Sequence, residues 1–135
     1  MSEIGQARAE RVLKERELLI AGCFRSWIDK DGAKFRECFS PGATYEESWG
    51  PAYRNLAEIA RWFDEWNARN SVLQWDIGKF WHDGSACICE WHFKCECGGT
   101  TDGFDGASIV EFDGENRIAG LREFQSKTPR HYPYG

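Results

Sequence analysis

Ala43 to Trp49 holds the first group of side chains able to do chemistry. The stretch reads as a short strand, and side chains alternate across a strand, so Tyr45, Glu47 and Trp49 share one face while Thr44, Glu46 and Ser48 share the other. A carboxylate between two rings loses hydration, and desolvation raises its pKa toward the range where it serves as a general base near neutrality. The structural alternative for Glu47 is a carboxylate anchored by Arg122 or by a backbone amide. The six cysteines offer a second chemistry. Cys87-x-Cys89 and Cys95-x-Cys97 look paired, but all four fall on one face of one strand, with the outer two about 33 Å apart at ~3.3 Å per residue. Reduced cysteines packing as small hydrophobes are expected, with no metal and no disulfide framework. His92 shares a face with Glu90 and Lys94, whereas His82 stands at the Asp83-Gly84 turn and rims a pocket only if Gly78 forms a bulge. No Ser-His-Asp or Cys-His order with a nucleophile elbow is present, and no Gly-rich phosphate loop follows a strand. Any chemistry is therefore expected to be cofactor-free.

The elements that must position these residues are legible in the spacing. Val12, Leu13, Leu19, Ile20, Cys23, Phe24, Trp27 and Ile28 recur with helical period over Ser2 to Asp29, the charged N-terminal half being solvated. Asp31 caps a second, short helix that Ser40-Pro41-Gly42 stops, and Gly50-Pro51 ends the strand that follows. Asn55, with Glu58 three residues on, starts a third helix that buries Leu56, Ile59, Ala60, Phe63 and Trp66. Ser71 to His82 is a long strand with Leu73, Trp75 and Ile77 inside; beyond Gly78 either Phe80 and His82 or Lys79 and Trp81 face inward. From Gly84 to Gln125 three strands form a meander. Its apolar face carries Cys87, Cys89, Trp91, Phe93, Cys95 and Cys97, then Phe104, Gly106, Ser108, Val110 and Phe112. The sum is one α+β domain over residues 1–135, with helices on one face of a strongly curved antiparallel sheet.

Composition narrows the function. Seven Trp and nine Phe against one Met imply either a very aromatic core or a pocket walled with rings, with Trp49, Trp62, Trp66, Trp75 and Trp91 as candidate walls and Cys89 among the residues lining it. A net charge of −5, with no Lys/Arg cluster along one face, argues against nucleic acid and anionic membrane surfaces as partners. No apolar run approaches the ~20 residues that span a bilayer, and Met1 to Arg11 has no signal-peptide core, so a cytoplasmic location is expected.

The element order, together with Gly42-Ala-Thr-Tyr-Glu-Glu-Ser-Trp-Gly50, Ile59 to Trp66, Gly106-Ala-Ser-Ile-Val-Glu-Phe-Asp113 and Ile118-Ala-Gly-Leu-Arg-Glu-Phe124, resembles the nuclear transport factor 2-like superfamily in its SnoaL-like branch, over about residues 18 to 126. The resemblance implies a cystatin-like cone of three N-terminal helices on a curved sheet. It also implies a deep pocket for a small hydrophobic molecule and a homodimer through the outer sheet face, with 127–135 as an irregular tail. Compared with the ketosteroid isomerase members, the carboxylate base falls at Glu47, the tyrosine oxyanion donor at Cys23 and the protonated acid at Ser108. The enolate-stabilising pair is missing, and steroid isomerisation is not expected. The same resemblance pairs the first strand with the last and brings Glu123 beside Glu47, with Gln125 able to orient Glu47. Two carboxylates in one dry pocket push each other's pKa values apart, which suits one to act as acid and the other as base. The alternative is a Glu123 bonded to Arg54 or Arg61 that merely closes the pocket.

Three readings follow. The first is a cofactor-free isomerase, cyclase or dehydratase acting on a small hydrophobic carbonyl compound, with Glu47 moving a proton and Glu123 or Tyr45 assisting. The second is a non-catalytic small-molecule-binding or dimerisation domain. The third is a protein-interaction domain using the outer face around Ile88, Glu90 and His92.

Overall fold

The computed structural model describes residues 2–135. Its first helix, α1 (Glu3–Asp29), begins where the Ser2 hydroxyl accepts a hydrogen bond from the Gly5 amide at 3.1 Å and ends at Lys30 in the left-handed region. The carboxylate of Asp31 caps α2 (Gly32–Glu37) through the Lys34 amide. In α3 (Leu56–Arg69) the Asn55 side chain accepts from the Glu58 amide at 2.9 Å, while the Glu58 carboxylate accepts from Arg54 instead of returning to Asn55. Each helix buries the stripe its period marks: Ile20, Cys23, Phe24 and Trp27 from α1, and Ile59, Ala60 and Phe63 from α3.

The strands are β1 (Phe39–Glu46), β2 (Ala52–Tyr53), β3 (Asn70–Asp83), β4 (Ala86–Cys97), β5 (Thr100–Phe112) and β6 (Ile118–Lys127). They form one curved, unclosed sheet in the order β2-β1-β6-β5-β4-β3. Every neighbouring pair is antiparallel except β1 and β6, which run parallel. The β3–β4 hairpin turns on Gly84, at φ +58°, and Ser85, one residue past the Asp83-Gly84 pair that signals it. The tail begins after Lys127.

Three local expectations need correction. Ser40-Pro41-Gly42 lies inside β1 and stops no helix. The ladder to β6 shifts register between Phe39 and Thr44, so Pro41, which has no N–H, falls where the pairing is irregular. β1 ends at Glu46, leaving Glu47 to Gly50 in a turn that leads to β2, a strand too short for alternation to reveal. A bulge between Val72 and Gln74 turns Leu73 outward to 47% exposure, against its expected place inside. A second bulge between Ile77 and Lys79 confirms the shift at Gly78, leaving Phe80 and His82 half-buried and Lys79 and Trp81 exposed. His82 turns to α1, where its Nε2 lies 2.7 Å from Glu17 Oε2.

The core between helices and sheet is aromatic. Phe24 stacks on Trp75 with ring centroids 3.9 Å apart, and Trp27 packs against Phe35, Trp62, Phe63, Trp66 and Trp75. Trp91 crosses to Gly106 on β5, where a Cβ would overlap its indole. The glycine makes room for the ring.

Candidate active site

The parallel pair β1–β6 places the functional side chains. Tyr45 stands opposite Leu121 in that ladder and is 1% exposed. Its hydroxyl donates to Glu123 Oε2 at 2.7 Å. Glu47, just past the end of β1, accepts from the Tyr53 hydroxyl at 2.8 Å and from Trp49 Nε1 at 3.3 Å. Trp62 of α3 fixes both phenols, stacking on Tyr53 (4.5 Å between centroids) and meeting Tyr45 edge-on (4.8 Å). One ring thus sets the two phenols that hold the two carboxyls.

These carboxyls line a cavity of about 300 Å³. Trp62, Trp66, Trp75 and Trp91 line it, and Trp49, 72% exposed, stands at its edge. Gln125 also lines it but accepts from Ser48 Oγ at 3.0 Å, and no hydrogen bond joins it to Glu47. Cys23, Cys89 and Ser108, read from sequence as pocket residues, are at most 1% exposed and lie behind the wall. Ser108 accepts from Trp91 Nε1 at 2.9 Å and so orients a wall ring without reaching the cavity itself.

The structure adds residues that sequence reasoning did not select. Trp27, Phe93 and Phe104 line the cavity, and so do Cys95, Cys97 and Asp102, the two thiols lying 3.5 Å apart. The positions of Trp27, Phe93, Phe104, Cys95 and Cys97 on apolar faces were visible, but nothing local separated wall from core, and Asp102 carried no apolar signal. Tyr53 left no signal, because a two-residue strand has no period.

The electrostatics follow from burial without a counter-ion. Burial pushes the Glu123 carboxyl up to about 8; the Tyr45 hydrogen bond pulls it down, and the nearby charge of Glu47 pushes it further up. Glu47 is also raised by burial, against the pull of its bonds from Tyr53 and Trp49. Burial and the Glu123 charge hold the Tyr45 hydroxyl well above its ordinary range, so it acts as a donor and stays protonated. None of the arginines weighed as anchors reaches the pair. Arg122 lies 3.9 Å from Glu46, Arg54 binds Glu58, and Arg61 binds Glu65. Around neutral pH Glu123 is held as a protonated carboxylic acid in a ring-walled space that Glu47 also lines.

The fold has many relatives of known structure. An LEH-like epoxide hydrolase from M. tuberculosis is 17% identical, with a TM-score of 0.76 over 84% of each chain. A protein of ketosteroid isomerase-like fold from Catenulispora acidiphila, solved in complex with trimethylamine, is 17% identical, with a TM-score of 0.71 over 80% of this chain and 85% of that one. A candidate SnoaL-like polyketide cyclase from Shewanella denitrificans is 13% identical, with a TM-score of 0.66 over 82% of this chain and 90% of that one. At such identities the likeness is one of fold. No curated protein matches the sequence. No helix among the described residues is long and apolar enough to cross a membrane. The model of the SnoaL-like domain family matches residues 20–121, about three quarters of the chain, and this chain belongs to that family.

Proposed function

We propose that the protein is a cofactor-independent acid–base enzyme of isomerase, cyclase or dehydratase type, acting on a small hydrophobic carbonyl compound. The observation that carries this reading is the Tyr45–Glu123 hydrogen bond at 2.7 Å in the cavity that Glu47 also lines, with Glu123 titrating at about 8. Ionised Glu47 takes a proton from the carbon beside the carbonyl, while protonated Glu123 gives its proton to the carbonyl oxygen, forming a neutral enol. Glu47 then returns its proton to a second carbon, Glu123 recovers its own from oxygen, and the site is regenerated. Tyr45 steadies the Glu123 carboxylate in between. Cys23 and Ser108 lie outside the cavity, so the acid in this scheme comes from β6.

The test is isotopic. Small cyclic ketones, with and without an amine substituent since a structural relative was solved with trimethylamine, are incubated with the protein in D2O. Loss of the signals beside the carbonyl is followed by NMR. Catalysed exchange is expected, falling roughly 10²–10⁴-fold in Glu47→Gln. A panel that exchanges no faster than in buffer sinks the enzyme reading. A specific observation favours the second reading, a binding domain: Tyr53 and Trp49 both donate to Glu47, which holds the carboxylate in place. Binding of the ketones without exchange supports that reading.

A further inference from the structure

The cavity has a lopsided charge pattern. Glu47, Asp102 and Glu123 line it, and among the described residues no Lys, Arg or His does. The neighbours that hydrogen-bond these carboxyls are neutral donors: Tyr53 and Trp49 for Glu47, Tyr45 for Glu123, and the adjacent Gly103 amide for Asp102. Elsewhere the chain supplies cations freely. Glu58 has Arg54, Asp64 has Arg36, Glu65 has Arg61, and Asp29 has Arg25. The protein cations that sit over rings also lie elsewhere, Arg16 over Phe112, Lys79 over Trp81 and Arg122 over Phe124. The cavity therefore combines unneutralised carboxyl groups with indole and phenyl rings that, among the described residues, no cation covers.

Both features attract the same kind of ligand. The face of an aromatic ring is its negative region, and a Trp face is the best of the three ring types at holding an organic cation. Carboxylates add a full charge of the same sign, which acts more strongly where rings displace water. A neutral ligand fills the walls but leaves the charges unanswered, and an anion is repelled by both.

We propose that the cavity selects a small organic cation, an alkylated amine or quaternary ammonium group carried on an apolar body, held by the faces of its tryptophans and countered by Glu47 and Asp102. The inference rests on the reading of the cavity as a ligand site and not on catalysis there. If the catalytic reading holds, the carbonyl compound carries its positive nitrogen into the same space.

Two probes of nearly equal shape separate charge from fit: benzyltrimethylammonium and its neutral isostere neopentylbenzene. Each is titrated into the full-length protein by tryptophan fluorescence, with line-shape changes of the indole N–H signals as a second readout. The ammonium probe is expected to bind at least roughly tenfold more tightly. The double variant Asp102→Asn/Glu47→Gln is expected to lose most of that preference while still binding neopentylbenzene, which also reports that the walls remain folded. Equal or tighter binding of neopentylbenzene by the native protein overturns the cation inference and leaves the ligand site standing. If neither probe perturbs the indole signals, the ligand-site reading falls and this inference with it.

Discussion

Two partly buried carboxylates of this molecule, Glu17 and Glu123, are treated differently. Glu17, on α1, meets His82 Nε2 at 2.7 Å and has Lys14 at 3.9 Å. Glu123, on β6, meets only a phenol and feels the like charge of Glu47. The first arrangement ties a helix to a hairpin and gives the carboxylate groups that are, or can become, positive. The second leaves a carboxyl group without a counter-ion, so its cheapest state near neutral pH is the protonated one. A carboxylate with a basic partner reads as architecture; one denied such a partner in a hollow space reads as a working group.

The largest expected effect concerns pH and stability. The folded value for Glu123, about 8, lies above its ordinary 4.5, so the folded chain holds that proton more tightly than the unfolded chain does. The stabilisation is full below the unfolded value and is lost as pH rises through about 8. At 1.36 kcal/mol per pH unit the interval amounts to at most about 5 kcal/mol. Urea denaturation between pH 5 and pH 9 is expected to show this decline, and Glu123→Gln to flatten it; an equally steep decline in the variant removes Glu123 as its source. Next comes the architectural carboxylate. His82→Ala is expected to lower stability by about 1–3 kcal/mol, because it strands a partly buried acceptor. It should leave the Glu123 titration where it was, and a moved titration would merge the two regions that this contrast separates.

Smaller effects sharpen the contrast inside the cavity. The Tyr45 hydroxyl favours the charged form of Glu123, so Tyr45→Phe is expected to push that carboxyl further up, by about 1–2 pH units for a bond to the charged form that contributes 1.5–3 kcal/mol. Carboxyl-selective NMR reads the shift directly, and a downward movement contradicts the donor assignment. Tyr53→Phe should raise Glu47 by less, because the Trp49 donor remains and this carboxyl is closer to solvent.

Much of this arrangement was legible before any coordinates. The caps at Asp31 and Asn55 mark helix starts because a side-chain oxygen there satisfies an amide that the helix cannot, and that chemistry is local. The two faces of β4 and the shift at Gly78 follow from a period of two and its interruption. What failed was non-local. Pro41 reads as a stop, yet a strand tolerates it where the partner ladder slips, and β6 lies about eighty residues away. Leu73 turns outward because a bulge inserts a residue, which composition does not announce. Glu47 and Glu123 were named together only through a resemblance in fold, since nothing in either stretch records the other. The inward face of β5 held a finer ambiguity: Ser108 points into the protein as its alternation requires, but the Trp91 indole lies between it and the cavity.

The parallel pairing of β1 with β6 also has a consequence in time. Tyr45 and Glu123 stand 78 residues apart in the chain, and no hairpin delivers one to the other. The helices and the β3–β4–β5–β6 meander can assemble from near neighbours, whereas this contact must close the longest loop in the sheet before it is rewarded. A nascent chain that has not yet released β6 from the ribosome has Glu47 but no acid to face it and no wall behind Tyr45. On topology alone the site is completed only once β6 has joined β1.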